Sequence, residues 1–289
     1  MNKKGLIIIN GYGVADGIQH QLTRLLEEFS KKDVPVDVRT STDVFSYLKE
    51  GIIKTTLPHY DFVVYTDKDR YIAEELERAG YRLFNSYSSI VKCDDKMLTH
   101  LSLSNNGIKM PTTISSPLCY RDDGNRKYLD KIIEIIGLPM IVKENYGSLG
   151  RQVYFVTDKK ELLELENKLI HIPHIFQQFI TSSKGKDYRL IVIGGKVVAY
   201  MKRENKHSYL SNLASGGTSS VVELPNSYIE MAEKAAKILE LDYCGVDLLE
   251  GENGEPILSE VNSNAFYEGI EKTTGVNVAR LYVDYILSK

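Results

Sequence analysis

The chain has 289 residues, enough for two or three lobes with cores of their own. Its 36 basic and 39 acidic residues give a formal net charge of −3, which excludes a strongly basic nucleic-acid binder and leaves open only a local patch. Its apolar runs are far too short to cross a bilayer, and Cys93, Cys119 and Cys244 form neither a zinc pattern nor a disulfide framework, which favours a reducing cytoplasm.

Residues 1–90 alternate between strand and helix patterns. The run Leu6-Ile-Ile-Ile9 is cut by Asn10, Gly11 and Gly13, so it reads as a first buried strand and not as a secretion signal. Leu22, Leu25, Leu26 and Phe29 have helical spacing within 18–29. Strands are predicted over 35–38, 61–65 and 81–84, with a helix over 72–79 stopped by Gly80. The pattern predicts a small open α/β domain whose loops after the strands can meet a ligand. Asn10-Gly-Tyr-Gly13 is either such a loop or a plain turn, because no Gly-x-Gly-x-x-Gly follows it.

One helical stretch containing Asp95-Lys96 is expected to end near Asn105-Asn-Gly107, with Pro111 confirming the stop. Alone, Lys96 is an ordinary surface lysine. A helix over 128–136 ends at Gly137, and a strand over 140–143 leads into a loop with Gly147, Ser148 and Gly150. Those glycines can expose backbone N–H groups to an anion, and Lys143 can reach a phosphate oxygen; a hairpin turn without a ligand is the alternative. The loop is not a Walker motif, since the Gly-Lys-Ser/Thr ending is missing. Asp158 caps a helix over 159–169.

A strand over 175–180 follows, then strands over 187–193 and 196–203 joined by the hairpin signal Gly194-Gly195. Residues 210–218 read as an anion-facing loop or a long connection. An amphipathic helix is predicted over 227–239 and a final helix over 276–287, with 268–275 as a charged turn.

The last third carries the sharpest pattern. In Cys244-Gly-Val-Asp-Leu-Leu-Glu, Asp247 points away from Val246 and Leu248, and in Ile257-Leu-Ser-Glu-Val-Asn262, Glu260 and Asn262 share a face. Asn253-Gly254 favours a tight reversal between them. Pairing brings two carboxylates and a carboxamide together, an all-oxygen set suited to Mg²⁺ held partly by substrate phosphates. A solvated outer face of the hairpin is the other reading.

Taken in order, several motifs resemble an ATP-grasp ligase of the ribosomal-protein glutamate ligase (RimK-like) branch. They are Asp95-Lys96, Gly107-Ile-Lys-Met-Pro111, Ile141-Val-Lys143 with Gly147-Ser-x-Gly150, Gly185-Lys-Asp-Tyr-Arg189 and Met201-Lys-Arg203. Asn212 with Gly216-Gly217, Cys244-Gly-Val-Asp247, and Glu260-Val-Asn-Ser263 continuing to Gly275 complete the series. The resemblance covers about 81–278 and is weaker in the first domain.

It implies an ATP-grasp fold: an N-terminal α/β domain over 1–90, a linker helix and central small lobe over 91–178, and a C-terminal lobe over 179–289, with the two lobes enclosing ATP. Lys96 and Lys143 correspond to lysines on the ATP phosphates, and Gly147, Ser148 and Gly150 to the mobile loop above them. Gln178, Phe179 and Ile180 correspond to the hinge at the adenine, and Asp187 and Arg189 join the nucleotide set. Asp247, Glu260 and Asn262 match the ligands of Mg²⁺, with Mn²⁺ as a substitute. Arg203, Lys143 and Asn212 match residues around the transferred phosphoryl group.

The implied reaction joins a small-molecule or peptide carboxylate to an amino-acid amine, with glutamate as a candidate, through an acyl phosphate. Nucleic acid and membrane are not expected partners, and a homo-oligomer is admissible. A nucleotide-binding regulatory protein of the same fold without turnover is the second reading. His100, His171, His174 and His207 show no triad pattern and are expected to be structural or surface residues.

Three departures from the family pattern stand near the substrates. Gln152 replaces a common glycine, which predicts a stiffer phosphate loop, and Leu210 replaces a common arginine. The stretch Asn264-Ala-Phe-Tyr267 replaces the family's small residues, so Phe266 and Tyr267 either offer stacking area to a substrate or pack a lobe interface.

Overall fold

The computed structural model describes residues 3–13, 16–213 and 216–289. The chain begins with β1 (Gly5–Ile9), α1 (Asp16–Ser30), β2 (Val36–Thr40), β3 (Ser46–Lys49), β4 (Ile52–Thr55), β5 (Phe62–Tyr65), α2 (Arg70–Arg78) and β6 (Leu83–Phe84). Four of these strands form a parallel sheet in the order β2-β1-β5-β6. β1 is apolar throughout because both of its faces are covered. Ile7 and Ile9 meet Leu25 and Phe29 of α1, while Leu6 and Ile8 meet Ala73 and Leu76 of α2. The β3–β4 hairpin is a separate two-stranded unit that the sequence reading did not anticipate.

Next come α3 (Tyr87–Asp94) and α4 (Lys96–Leu103), then β7 (Thr113–Ser115), α5 (Tyr128–Ile136), β8 (Met140–Glu144), β9 (Val153–Val156), α6 (Lys159–Leu169) and β10 (His174–Gln178). The single helix expected around Asp95 is two helices. Asp95 leaves the helical region at φ −92° and ψ 114°, and its carboxylate accepts from the backbone N–H groups of Met97 and Leu98 at 2.8 and 3.1 Å. An aspartate that caps a following helix ends the preceding one.

The four strands of this region pair antiparallel in the order β7-β10-β8-β9. Met140, Val142 and Phe176 pack against Leu129, Ile132, Leu162 and Leu169 of α5 and α6. Strand alternation therefore turns Lys143 and Ile175, which lie opposite each other, to the face away from those helices. β10 ends at Gln178, so Phe179 and Ile180, included in the strand predicted over 175–180, lie beyond it.

The last region holds β11 (Lys186–Ile193), β12 (Lys196–Glu204), β13 (Thr218–Ser220), α7 (Asn226–Ile238), β14 (Tyr243–Glu250), β15 (Pro256–Asn262), α8 (Glu268–Thr274) and α9 (Val278–Leu287). Its sheet is antiparallel in the order β13-β12-β11-β14-β15. One face, with Leu190, Val192, Val246, Leu248 and Val261, is sealed by Ala232, Ala235 and Ala236 of α7. On the other face, Ile191, Ile193, Met201 and Tyr243 merge with α1 and α9 into one core. The expected turn over 268–275 is α8 instead: Ile270 is fully buried, and Gly275 ends the helix at φ 73°. The last helix starts at Val278, with Asn277 accepting from Arg280 N–H at 2.9 Å.

Asn85 joins the first and last regions. Its buried amide donates to the carbonyls of Tyr243 and Ser263, both at 2.7 Å, and accepts from Asp242 and Tyr243 N–H at 2.7 and 3.0 Å. Removing it strands two donors and two acceptors. Asn85→Ala is expected to destabilise the protein by about 2–4 kcal/mol, read as the shift in a urea unfolding midpoint. A change below about 0.5 kcal/mol would show that the clamp contributes nothing.

Candidate active site

The site grows from strand register. Arg189 lies opposite Asp247, Asp247 opposite Glu260, Asp187 opposite Arg203, and Asn262 opposite Gly245. Residues opposite each other in antiparallel strands share a face. A row of charged side chains therefore crosses β12, β11, β14 and β15, on the face not covered by α7. A bulge falls between Asp247 and Leu248, where Ser259 is the extra residue of β15 beside Glu260. Gly245 must be glycine here, because a Cβ would sit 2.5 Å from Ala265 Cβ and 3.1 Å from Arg189 Cδ.

Asp247 is 5% exposed and fully engaged. Arg189 grips it with both arms, Nε on Oδ1 and Nη2 on Oδ2 at 2.7 Å, and Arg203 Nη2 lies 3.1 Å from the same Oδ2. Burial opposes the Asp247 charge, but the two guanidinium groups outweigh it and hold the carboxyl below the usual carboxylate range. Arg203 is itself buried and clamped by Asp187, with Nε and Nη2 at 2.7 and 2.5 Å from its two oxygens. Glu260 and Asn262 differ: among the described residues neither side chain has a hydrogen-bond or ion-pair partner.

Facing this row from the central sheet is Lys143. A narrow cavity is walled by Lys96, Thr99, His100, Lys143, Ile175, Ser259 and Glu260. The Lys143 ammonium also has no hydrogen bond or ion pair among the described residues. Burial pushes it down to about 8; the nearby Lys96 adds to this, and Glu260 opposes it. Burial likewise pushes His100 down to about 4, with Lys143 assisting, so the ring is neutral. Lys96 starts α4, and its backbone N–H donates to Asn145 O at 3.1 Å while Nζ lies 3.4 Å from the same oxygen. Asn145 Nδ2 donates in turn to Asp95 at 3.0 Å, so one polar chain fixes Lys96 to the end of β8.

The loop after β8 turns back at Leu149 (φ 60°) and Gly150 (φ 75°). A Cβ at Gly150 would lie 3.0 Å from Asn212 Nδ2 and 3.2 Å from Leu210 Cδ1, so the loop rests directly on those two residues. Gln152 folds over Gly147, where a Cβ would meet its Oε1 at 2.6 Å. Ser148 is exposed. At the hinge, Gln178 N–H donates to Thr112 O at 2.8 Å and the Gln178 side-chain Oε1 accepts from Thr112 N–H at 3.3 Å, Phe179 meets Phe155 edge-on at 4.8 Å, and Phe155 stacks on Tyr209. Ala214 and Ser215, in the loop after Asn212, lie outside the described residues.

The possibility that Tyr267 faces a substrate is overturned. It is 1% exposed, packs edge-on to Tyr243 and donates from its hydroxyl to Gln21 O at 3.2 Å. Phe266 lies against Gly17 of α1, and Asn264 donates to Thr66 O at 2.7 Å. This stretch packs the interface with the first region. Sequence reasoning also missed the pairing of Asp187 with Arg203 and of Arg189 with Asp247. The alternation Asp187-x-Arg189 carried that signal, since both side chains must share one strand face.

A family model described as the RimK-like ATP-grasp domain matches residues 93–286. The chain belongs to the RimK-like ATP-grasp family. As a RimK-like chain it is 30% identical over 247 residues to β-citrylglutamate synthase B of Danio rerio, covering 85% of this chain and 59% of that protein. It is 32% identical over 219 residues to a probable α-L-glutamate ligase of Maridesulfovibrio salexigens, covering 74% and 70%. The chain thus spans somewhat under two thirds of the length of the β-citrylglutamate synthases it matches. Its fold is that of the ATP-grasp ligase PsnB solved with Mg, ADP and a phosphomimetic variant of its minimal precursor. The TM-score is 0.70 at 15% identity, over 100% of this chain and 99% of that one.

The donor set of this RimK-like chain fits a hard divalent cation: two carboxylate side chains opposed across a hairpin, an adjacent carboxamide, and no thiol or imidazole among them. The charges separate the two carboxylates energetically. Asp247→Asn takes the carboxylate charge from Arg189, which has no other partner among the described residues, and is expected to cost about 2–4 kcal/mol. Glu260→Gln removes no contact and is expected to change stability by less than about 0.5 kcal/mol while lowering Mg²⁺-dependent nucleotide affinity at least about tenfold. Urea unfolding and calorimetry of both variants check this contrast, and equal destabilisation by the two would refute it.

Proposed function

We propose that this chain is an ATP-dependent carboxylate–amine ligase that forms an amide through an acyl phosphate. The observation that carries the reading is the Lys143 ammonium, which has no hydrogen-bond or ion-pair partner among the described residues and faces, across a cavity, the Glu260 carboxylate, likewise without one there. A half-buried cation without a counter-ion loses part of its solvation, and an anionic ligand offsets that loss. Lys96 beside it supplies a second positive charge, which suits polyphosphate better than a single carboxylate.

In this reading Lys96 and Lys143 hold the phosphates under the Gly147–Ser148–Gly150 loop, and the hinge at Gln178, Phe179 and Ile180 borders the adenine. Asp247, Glu260 and Asn262 would hold Mg²⁺, which would supply positive charge to offset that of the phosphates during phosphoryl transfer. A carboxylate oxygen attacks the γ-phosphorus, ADP leaves, and the acyl phosphate keeps the transferred group. Arg203, fixed by Asp187, offsets charge on that group. An amine then attacks the acyl carbon, loses a proton and expels phosphate. Asn212, touching the phosphate loop, keeps that loop over the reacting atoms.

Glutamate is the first amine to test, because the names of both relatives above contain it. The burial of Tyr267 removes one reason to expect a bulkier partner, leaving Leu210 as the main departure. Leu210 packs on Gly150, so it supports the loop. The three free cysteines suit a reducing compartment.

The test is ADP release with pooled carboxylates and amino acids, read together with product mass. ADP formation that requires both an acid and an amine, with a product at their summed mass less water, is expected. Nucleotide binding without turnover on any pair would favour the regulatory reading. Leu210→Arg is expected to slow all amines about tenfold without changing their ranking, a loss of about 1.4 kcal/mol. A new preference for acidic amines would instead place position 210 at the substrate carboxylate.

A further inference from the structure

We propose that Arg189 is a positioning residue that stands in for the divalent cation at Asp247 in the metal-free protein and yields that carboxylate when the metal loads. The inference rests on the metal reading given above. Among the described residues, Asp247 is the only hydrogen-bond or ion-pair partner of the Arg189 guanidinium, held through Nε and Nη2 in a two-armed grip. Arg203 is different, because Asp187 holds it at 2.7 and 2.5 Å whether or not Asp247 stays at 3.1 Å.

The donor set is therefore unevenly prepared. Glu260 and Asn262 are open, whereas both oxygens of Asp247 are taken. A buried carboxylate needs a positive partner at all times; without one it takes up a proton or turns away. Arg189 supplies that partner from the neighbouring strand, at a place set by register and by the missing side chain of Gly245. A divalent cation bound to Glu260 and Asn262 competes for the same oxygens. Once Asp247 turns to the metal, the guanidinium loses its one carboxylate and becomes available to an oxyanion of the substrate. Metal loading and readiness for the anion are then a single exchange.

The experiment compares the full chain with Arg189→Met and with the double variant Arg189→Met/Asp247→Asn; Arg189→Gln replaces Arg189→Met in both if methionine does not fold. Thermal unfolding is followed in EDTA and in millimolar Mn²⁺, and Mn²⁺ binding by electron paramagnetic resonance with and without ADP. In EDTA, Arg189→Met is expected to unfold about 5–10 °C below the unaltered protein, because Asp247 keeps only its weaker arginine contact. Mn²⁺ is expected to restore at least half of that loss, to shift the unaltered protein little, and to do nothing for the double variant. Nucleotide-free Mn²⁺ affinity of Arg189→Met is expected to rise about tenfold, since the competing cation is gone. A loss in Arg189→Met that Mn²⁺ does not restore, in a protein whose unaltered form binds Mn²⁺ with ADP, would overturn the proposal. Failure of the unaltered protein to bind Mn²⁺ with ADP would instead overturn the metal reading itself.

Discussion

Everything in the site depends on the position of Lys143. It is a cation on one sheet facing a carboxylate on another, and neither has a hydrogen-bond or ion-pair partner among the described residues. Two such groups, left unpaired inside a fold, cost stability that packing elsewhere must offset. The cost makes sense if the two charges are completed by a ligand that brings both signs, such as a polyphosphate with a divalent cation. The charge row behind Glu260 is, by contrast, already neutralised, with Asp187 on Arg203 and Arg189 on Asp247. The site thus combines a balanced, rigid floor with an unbalanced gap above it, an arrangement that favours binding over self-association of its own groups.

The rigidity of that floor comes from the whole molecule. The apolar face of the last sheet is sealed by α7, and the opposite face is shared between the charge row and the core formed with α1 and α9. The segment just past Asn262 is tied to the first region through Asn85, Asn264, Gln21 and Tyr267. The β14–β15 hairpin is therefore held from both ends, by sheet register on one side and by the domain contact on the other. The loop after β8 has a different character. It leans on Leu210 and Asn212 from a separate loop, and its tip at Ser148 is exposed, as a cover that must admit a substrate requires.

Much of this was legible in residue order because strands alternate with a period of two. That period places Asp247, Glu260 and Asn262 on one face, and it turns Lys143 away from Val142 and hence away from α5 and α6. What escaped has physical causes. Asp95 reads as one polar residue inside a helix until its capping of Met97 and Leu98 is known. α8 is rich in charge and is held by the single buried Ile270, so no apolar stripe announces it. The β3–β4 hairpin exposes Leu48 and Ile52, which gives it no half-buried pattern to detect. The two aromatics at 266 and 267 were ambiguous because a buried tyrosine and a substrate-stacking one have the same sequence signature; the hydrogen bond to Gln21 decides the matter.

If Lys143 receives phosphate, proton linkage must show it. With burial holding the free ammonium down to about 8, part of the population is neutral near that pH. A bound polyphosphate favours the charged form, so Mg²⁺–ADP binding must take up protons, and affinity must fall as pH rises from 7 to 9. Calorimetry of Mg²⁺–ADP binding in buffers of different ionisation enthalpy measures this uptake. The account predicts an uptake that peaks between about pH 8 and 9 and disappears in Lys143→Met, together with most of the affinity. Binding of equal strength and without proton uptake in both proteins would contradict it.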